Sequence, residues 1–442
     1  MRVVDIIAKK RDNYKLTEEE IHYILDKYIN KEIPDYQMSA FLMAIYFNGL
    51  DKDEIAIFTD KFVNSGDIIE LEREINSFII DKHSTGGVGD KVTIALLPIF
   101  SSLGIGTLKL SGKGLGHTGG TIDKLESINN FKFPNTKEEL LEKFHETNIG
   151  IMGYTDKIVP LDKEIYSLRD VTATVSSLPL IAISVMSKKL VIPSNGIILD
   201  IKVGKGAFIK NIDDGEKLSD IMIDIGRKFN KKMVTILSNM DEPLGNKIGN
   251  ALEIEEVIEI LNGDGPKDLR KFITDFTAIA INMKNPEIDY ENGKKMVEDV
   301  INSKKALDEF RKMIDSYGGD SSIIDNIDKL GISKNTDYIL ADKTGYVKEI
   351  DTEKIGIAVM KLGAGRETKD DTIDYSVGLK LYKKIGDYVK KGEKLFKVYH
   401  KNNRELEKIK LDILNSYLIV GEKVEKKPII LKIKGGDFIE HK

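Results

Sequence analysis

Residues 81–93 read DKHSTGGVGDKVT, set between the apolar run FII at 78–80 and the apolar stretch IALLPIF at 94–100. The order is a short strand, a glycine loop rich in polar side chains, and a helix-like segment. It recurs at once: GTLKLSGKGLGHTGG at 106–120 is a strand running into a second glycine loop, and TKEELLEKFHETN at 136–148 reads as a helix. NIGIMGYT at 148–155 then reads as another strand. Strands alternating with helices predict an α/β layer with a mainly parallel sheet, whose ligand loops gather at the strand C-terminal ends.

Outward from this centre the pattern changes. The first 65 residues read as short amphipathic helices. TEEEIHYILDKYI at 17–29 opens with Thr17 and Glu20 at capping-box spacing, and Asp51 and Gly66 bracket a further helix. Residues 158–190 turn helical again, after which NGIILDIKVGKGAF at 195–208 resumes the strand–loop pattern. Beyond about residue 340, short strands and glycine turns such as IGDYVKKGEKLFKVYH at 385–400 resemble half of a hammerhead, without the exposed hairpin lysine of a carrier domain. The expected fold is a multidomain α/β protein. It has a small all-helical domain, a large α/β domain with a mainly parallel central sheet, and a β-rich α+β, hammerhead-like C-terminal domain. The expected boundaries are 1–68 for the first helical part and 69–157 for the first α/β part. Residues 158–192 return to the helical domain, 193–335 complete the α/β domain, and 336–442 form the C-terminal domain.

A chain of 442 residues with 41% hydrophobic and 31% charged residues has the composition of a soluble globular protein. Its formal charge of -5 gives no basic field for a nucleic-acid backbone. The absence of cysteine excludes disulfides, thiolate zinc sites, iron–sulfur clusters and cysteine nucleophiles. No signal-peptide core and no apolar run of membrane length is present, so the expectation is a cytoplasmic protein without a membrane partner.

The glycines of the first loop let successive amides face one ligand, while Lys82, Ser84, Thr85 and Thr93 add charge and hydroxyls. The second loop repeats the recipe with Lys109, Ser111, Lys113 and Thr121. Amides, hydroxyls and one or two ammonium groups together suit phosphate. Neither loop is a Walker motif, and GKGLGH misplaces the third glycine of a dinucleotide fingerprint. His83 lies within the first loop, where an imidazole can donate a proton to a leaving group. His117 sits in the second loop, where bracing it is the simpler role. In YSLRDVTATVSSLPLIAISVMSKK at 166–189, a helix after Pro179 puts Ser184 and Lys188 on one face, with Tyr166 and Arg169 from the preceding turn. Such a face suits a planar polar ligand with carbonyl oxygens and an imide nitrogen.

The strings KHSTGGVGD, SGKGLGHTGGTIDKLE, LRDVTATV, MSKK and DIKVGKGAF closely resemble the thymidine/pyrimidine-nucleoside phosphorylase family, over essentially the entire chain. The resemblance implies a homodimer that reversibly splits a pyrimidine nucleoside with phosphate into free base and α-pentose 1-phosphate, inverting C1′. It implies that Lys82, Ser84, Thr93, Ser111 and Thr121 hold phosphate, with Lys109 beside them. His83 would lie near the base O2, with Arg169, Ser184 and Lys188 on its O4/N3 edge and Tyr166 adjacent. His83, Arg169 and Lys188 would stabilise the departing base, and closure of the two domains would complete the site. A potassium ion would be held by Gly89, Lys91, Leu244, Lys247 and Glu256, although hydroxyl-bearing residues are commoner where this chain has Lys91. A lysine at 109, where thymidine-restricted members tend to have methionine, resembles the broad members acting on uridine, deoxyuridine and thymidine. The alternatives are a thymidine-specific phosphorylase, an anthranilate-type phosphoribosyltransferase, and a non-catalytic nucleoside- or anion-binding protein.

Overall fold

The computed structural model describes residues 1–70, 77–114, 119–367, 371–401 and 405–436. The N-terminal helices are α1 (Val3–Arg11), α2 (Glu18–Ile29), α3 (Asp35–Asn48) and α4 (Lys52–Val63). Thr17 and Asp51 each close a capping box, with Glu20 and Glu54, so two helix starts are fixed by local hydrogen bonds as the sequence requires. The α4 helix ends at Asn64, just short of Gly66. Isoleucines, leucines and phenylalanines of this bundle, such as Ile24, Phe41 and Phe58, are fully buried.

The chain then alternates strand and helix: β1 (Phe78–Ser84), α5 (Val92–Ser102), β2 (Ile105–Ser111), α6 (Thr121–Glu126), α7 (Lys137–Thr147) and β3 (Ile149–Gly153). It leaves through α8 (Pro160–Val171) and α9 (Leu178–Leu190), which join the first helices in one apolar core. It returns as β4 (Gly196–Val203), α10 (Ile212–Lys228), β5 (Lys232–Asn239) and β6 (Lys247–Ile248). The helices α11 (Asn250–Leu261), α12 (Lys267–Lys284), α13 (Tyr290–Asn302) and α14 (Lys305–Ser316) follow. The last region holds β7 (Thr336–Leu340), β8 (Gly345–Ile350), α15 (Thr352–Val359), β9 (Gly378–Leu381), β10 (Tyr388–Val389) and β11 (Lys394–Tyr399). It closes with α16 (Leu406–Leu414), β12 (Tyr417–Val420) and β13 (Ile430–Lys434).

The large sheet has the order β13-β5-β4-β1-β2-β3. Its members pair in parallel except β13, which runs antiparallel to β5. Strands buried on both faces explain why β2 and β4 are buried along their entire lengths. The chain progresses from β1 to β2 and β3 on one side, then resumes with β4 on the other side of β1. The order therefore reverses at β1/β4, which is where open α/β sheets take their ligands. Two smaller sheets, β10-β8-β12 and β6-β9-β11-β7, build the C-terminal region. Thus β6 is lent to a C-terminal sheet while β13 comes back to the large one. Among the described residues, no helix is long and apolar enough to cross a membrane.

Candidate active site

The first glycine loop leaves β1 at the reversal point and is tied to both neighbours. The Thr85 amide donates to the Asp200 carbonyl at 3.0 Å, and the Lys202 amide donates to the Thr85 hydroxyl at 2.8 Å, which fastens the loop to β4. On the other side, Lys109 Nζ of β2 donates to the Lys82 carbonyl at 2.6 Å. Lys124 of α6 donates to the Asp90 carbonyl at 2.7 Å and pairs with Glu253 at 2.8 Å, so the helix after the second loop grips the first. Lys82 Nζ donates to Thr93 Oγ1 at 3.1 Å, and Ser84 donates to Asp90 at 2.5 Å. Ser111 is buried at the end of β2, and Thr121 is half-buried at the first position of α6.

Five buried lysines, at 82, 109, 124, 189 and 202, stand among the carboxylates of Asp81, Asp90, Asp200 and Glu253. Burial lowers the Lys82 pKa against the attraction of Asp90 and Asp200. Burial, reinforced by Lys189, pushes Lys109 down to about 7. Burial of Asp90 opposes its charge, yet Lys202, Lys82 and Lys124 hold the carboxyl well below the usual carboxylate range. Burial, followed by Lys189, Lys109, Lys82 and Lys188, holds His83 well below the usual imidazole range. The ring is therefore neutral at neutral pH and offers one N–H donor. The lysines that depress it belong to β1 and β2 (Lys82, Lys109) and to α9 (Lys188, Lys189).

On the helical side, α9 runs from Ser177 with Pro179 in its first turn, where a proline costs no helical hydrogen bond. Ser184 and Lys188 come together one turn apart as their spacing predicts, with Lys188 Nζ 3.1 Å from Ser184 Oγ. Lys188 is also bonded to Asp162 of α8 and lies 5.7 Å from the Tyr154 ring centroid. Arg169 is almost fully buried and aims at its own turn. Its guanidinium donates to the carbonyls of Thr174, Leu180 and Val175 at 3.4, 3.1 and 2.7 Å, and sits 5.7 Å from the half-exposed Tyr166 ring. Three of its five N–H donors thus shape the α8–α9 turn.

The residues expected to hold potassium do converge, but the donor set does not fit an added cation. The Lys91 ammonium occupies its centre, donating to the carbonyls of Leu244 at 3.0 Å and Lys247 at 2.7 Å and to Glu256 Oε2 at 2.5 Å. Lys91 joins this set through its side chain, as the cation itself rather than as a ligand to one. Gly89 packs so tightly on this segment that an added Cβ would stand 2.6 Å from the Leu244 carbonyl oxygen.

Sequence reasoning overlooked several partners. Asp90 closes the first glycine loop and Lys189 adjoins Lys188, so both lie within the motif strings KHSTGGVGD and MSKK. Asp200 and Lys202 share one strand face at two-residue spacing, a visible signal. Asp162 had none, since only the fold brings it to Lys188. His117 lies outside the described residues.

Models of the glycosyl transferase family match this chain in its helical bundle domain over residues 4–66 and in its a/b domain over 76–307. A pyrimidine nucleoside phosphorylase C-terminal domain model matches residues 346–420. The chain is 43% identical over 433 residues to a pyrimidine-nucleoside phosphorylase of Staphylococcus epidermidis, covering 98% of this chain and 99% of the relative. It is 44% identical over 430 residues to that of Geobacillus stearothermophilus, covering 97% and 99%. Among solved structures, anthranilate phosphoribosyltransferase from Thermus thermophilus superposes with a TM-score of 0.56 at 13% identity, over 71% of this chain and 100% of the other. That likeness is one of fold.

Proposed function

The chain belongs to the pyrimidine-nucleoside phosphorylase family, and from that premise we propose how its residues carry the reaction. It is a glycosyltransferase that splits a pyrimidine nucleoside with phosphate as co-substrate. Phosphate lies against Lys82, Ser84, Thr93, Ser111 and Thr121, with Lys109 behind them. The base lies against Ser184, Lys188, Tyr166 and the remaining donors of Arg169. The observation that carries this assignment is the buried pair of Lys189 and Asp81 at 3.0 Å, which sets α9, the helix of Ser184 and Lys188, beside β1, the strand of Lys82 and His83.

The chemistry follows from charge. Phosphate attacks C1′ from the face opposite the base, and the glycosidic electron pair leaves with the pyrimidine. The sugar becomes oxocarbenium-like and negative charge grows on the base, where Lys188, Arg169 and the neutral His83 N–H meet it. Phosphate arrives already charged, so no protein base is required. His83 contributes first as a hydrogen-bond donor to O2; a proton transfer becomes favourable only as the charge on the base develops. Closure of the two faces brings phosphate to the sugar and excludes water.

With Lys109 able to meet a sugar hydroxyl, the substrates are uridine, deoxyuridine and thymidine. The protein acts in the cytoplasm on free nucleosides and phosphate, not on nucleic acid. It works as a homodimer, a reading supported by exposed Tyr36 and Phe47, which share one face of α3 three turns apart. The test is release of free base from uridine and thymidine with and without phosphate. Phosphate-dependent release from both is expected; release from neither removes the reading.

A further inference from the structure

We infer that Lys91 is a built-in cation: its ammonium replaces a bound monovalent ion in organising the phosphate loop, which makes this chain independent of potassium.

The ammonium is fully enclosed, and so is the carboxylate it meets. It has three N–H donors, and each has an oxygen, from Leu244, Lys247 and Glu256. Two main-chain carbonyls and one carboxylate form a cation's ligand set, not an ordinary lysine partner. Glu256 is in turn held by the Asn246 amide at 2.9 Å and the Lys247 amide at 3.3 Å, so the carboxylate is oriented by the backbone as well as by the lysine. Gly245 leaves no spare volume: a Cβ there would lie 2.1 Å from Glu256 Oε2 and 2.9 Å from Lys91 Nζ.

Charge points the same way. Lys91 and Glu256 balance each other, and the adjacent carboxylates are engaged elsewhere, Glu253 with Lys124 and Glu255 and Glu259 with Lys247. A second cation here would be a buried charge without a counterion.

The device acts on the loop through its neighbours. Lys91 follows Asp90 and precedes the first residue of α5, and the Leu244 amide donates to the Val88 carbonyl at 3.0 Å. The residue therefore links the 244–247 segment to the loop that carries Ser84 and Asp90, without touching substrate. Lys91 is a positioning residue.

The experiment compares the full-length wild-type protein in potassium, sodium and choline chloride at equal ionic strength, reading Tm and the KM for phosphate. The expected result is the same Tm and the same KM in all three salts. A potassium-specific rise in Tm or fall in KM overturns the proposal. Lys91→Thr removes the ammonium and leaves a hydroxyl. In choline its Tm should fall and its phosphate KM rise, with both restored saturably by potassium. Lys91→Met, which fills space without charge, should suffer the same losses without potassium rescue. A Lys91→Thr protein indifferent to potassium overturns the proposal. If that variant fails to fold, the wild-type salt series decides alone.

Discussion

Lys189 of α9 and Asp81 of β1 meet at 3.0 Å, and neither side chain reaches solvent. The pair fixes the helix that carries Lys188 to the strand that carries His83. Replacing Lys189 by Met leaves Asp81 buried without a partner, which costs about 3–5 kcal/mol. A marked fall in Tm is expected, with much of it recovered when Asp81→Leu is added to Lys189→Met. The same single change removes the first among the charges depressing His83, so its imidazole pKa should rise, as read by proton NMR.

His83→Ala should lower kcat by about 10²–10³-fold, the usual effect of removing one donor from a developing anion. His83→Gln, which keeps an N–H donor, should retain more activity than His83→Ala. Because the wild-type ring is neutral, kcat should show no inflection at the ordinary imidazole pKa. An inflection there that His83→Gln abolishes would sink the neutral-donor role.

Anion binding should weaken as pH rises through about 7, because free Lys109 loses its proton there. The sign follows from the lowered pKa: below it the ammonium attracts an anion, and above it the neutral amine does not. Bound anion favours the protonated form and should lift the pKa in the complex. Sulfate inhibition is the probe, since sulfate keeps its charge across this range while phosphate does not. Lys109→Met should flatten the profile and penalise uridine more than thymidine.

Asp162→Ala should raise the KM for nucleoside about 10-fold or more while leaving the KM for phosphate near its wild-type value, because it frees the Lys188 ammonium from a charged hydrogen bond. A steady-state matrix varying each substrate separates the two constants.

Phe47→Glu on the exposed face of α3 should shift the protein from dimer to monomer by light scattering, with its helical content retained. A monomeric wild type would remove the homodimer reading.

Most of the architecture was legible because it rests on local periodicity. The capping box at Thr17, the cap at Asp51, the two strand–loop units and the Ser184/Lys188 spacing all follow from residues within a few positions of one another. What was not legible depends on the fold bringing distant residues together. Lys188 meets Asp162, a contact that no local pattern encodes, and Lys91 reaches Leu244 and Glu256, which only the family resemblance groups and whose ammonium-centred form it does not foresee. Arg169 illustrates a third case: the sequence marks it as a donor toward a planar ligand, and the structure shows three backbone carbonyls of its own turn claiming much of its guanidinium. The fold-level likeness to a phosphoribosyltransferase at 13% identity shows that the scaffold alone does not choose the chemistry.

The strand β13 follows every other strand of the large sheet in sequence, yet it covers the β5 edge, with Lys432 and Lys434 paired to Glu216 and Asp220 of α10. On the ribosome, β1 to β5 emerge long before residues 430–434 are translated, so β5 waits with an open row of backbone donors and acceptors. An exposed strand edge invites pairing with other chains. A chain in which β13 does not dock keeps that edge open to pairing, so Lys432 and Lys434 guard solubility as much as stability.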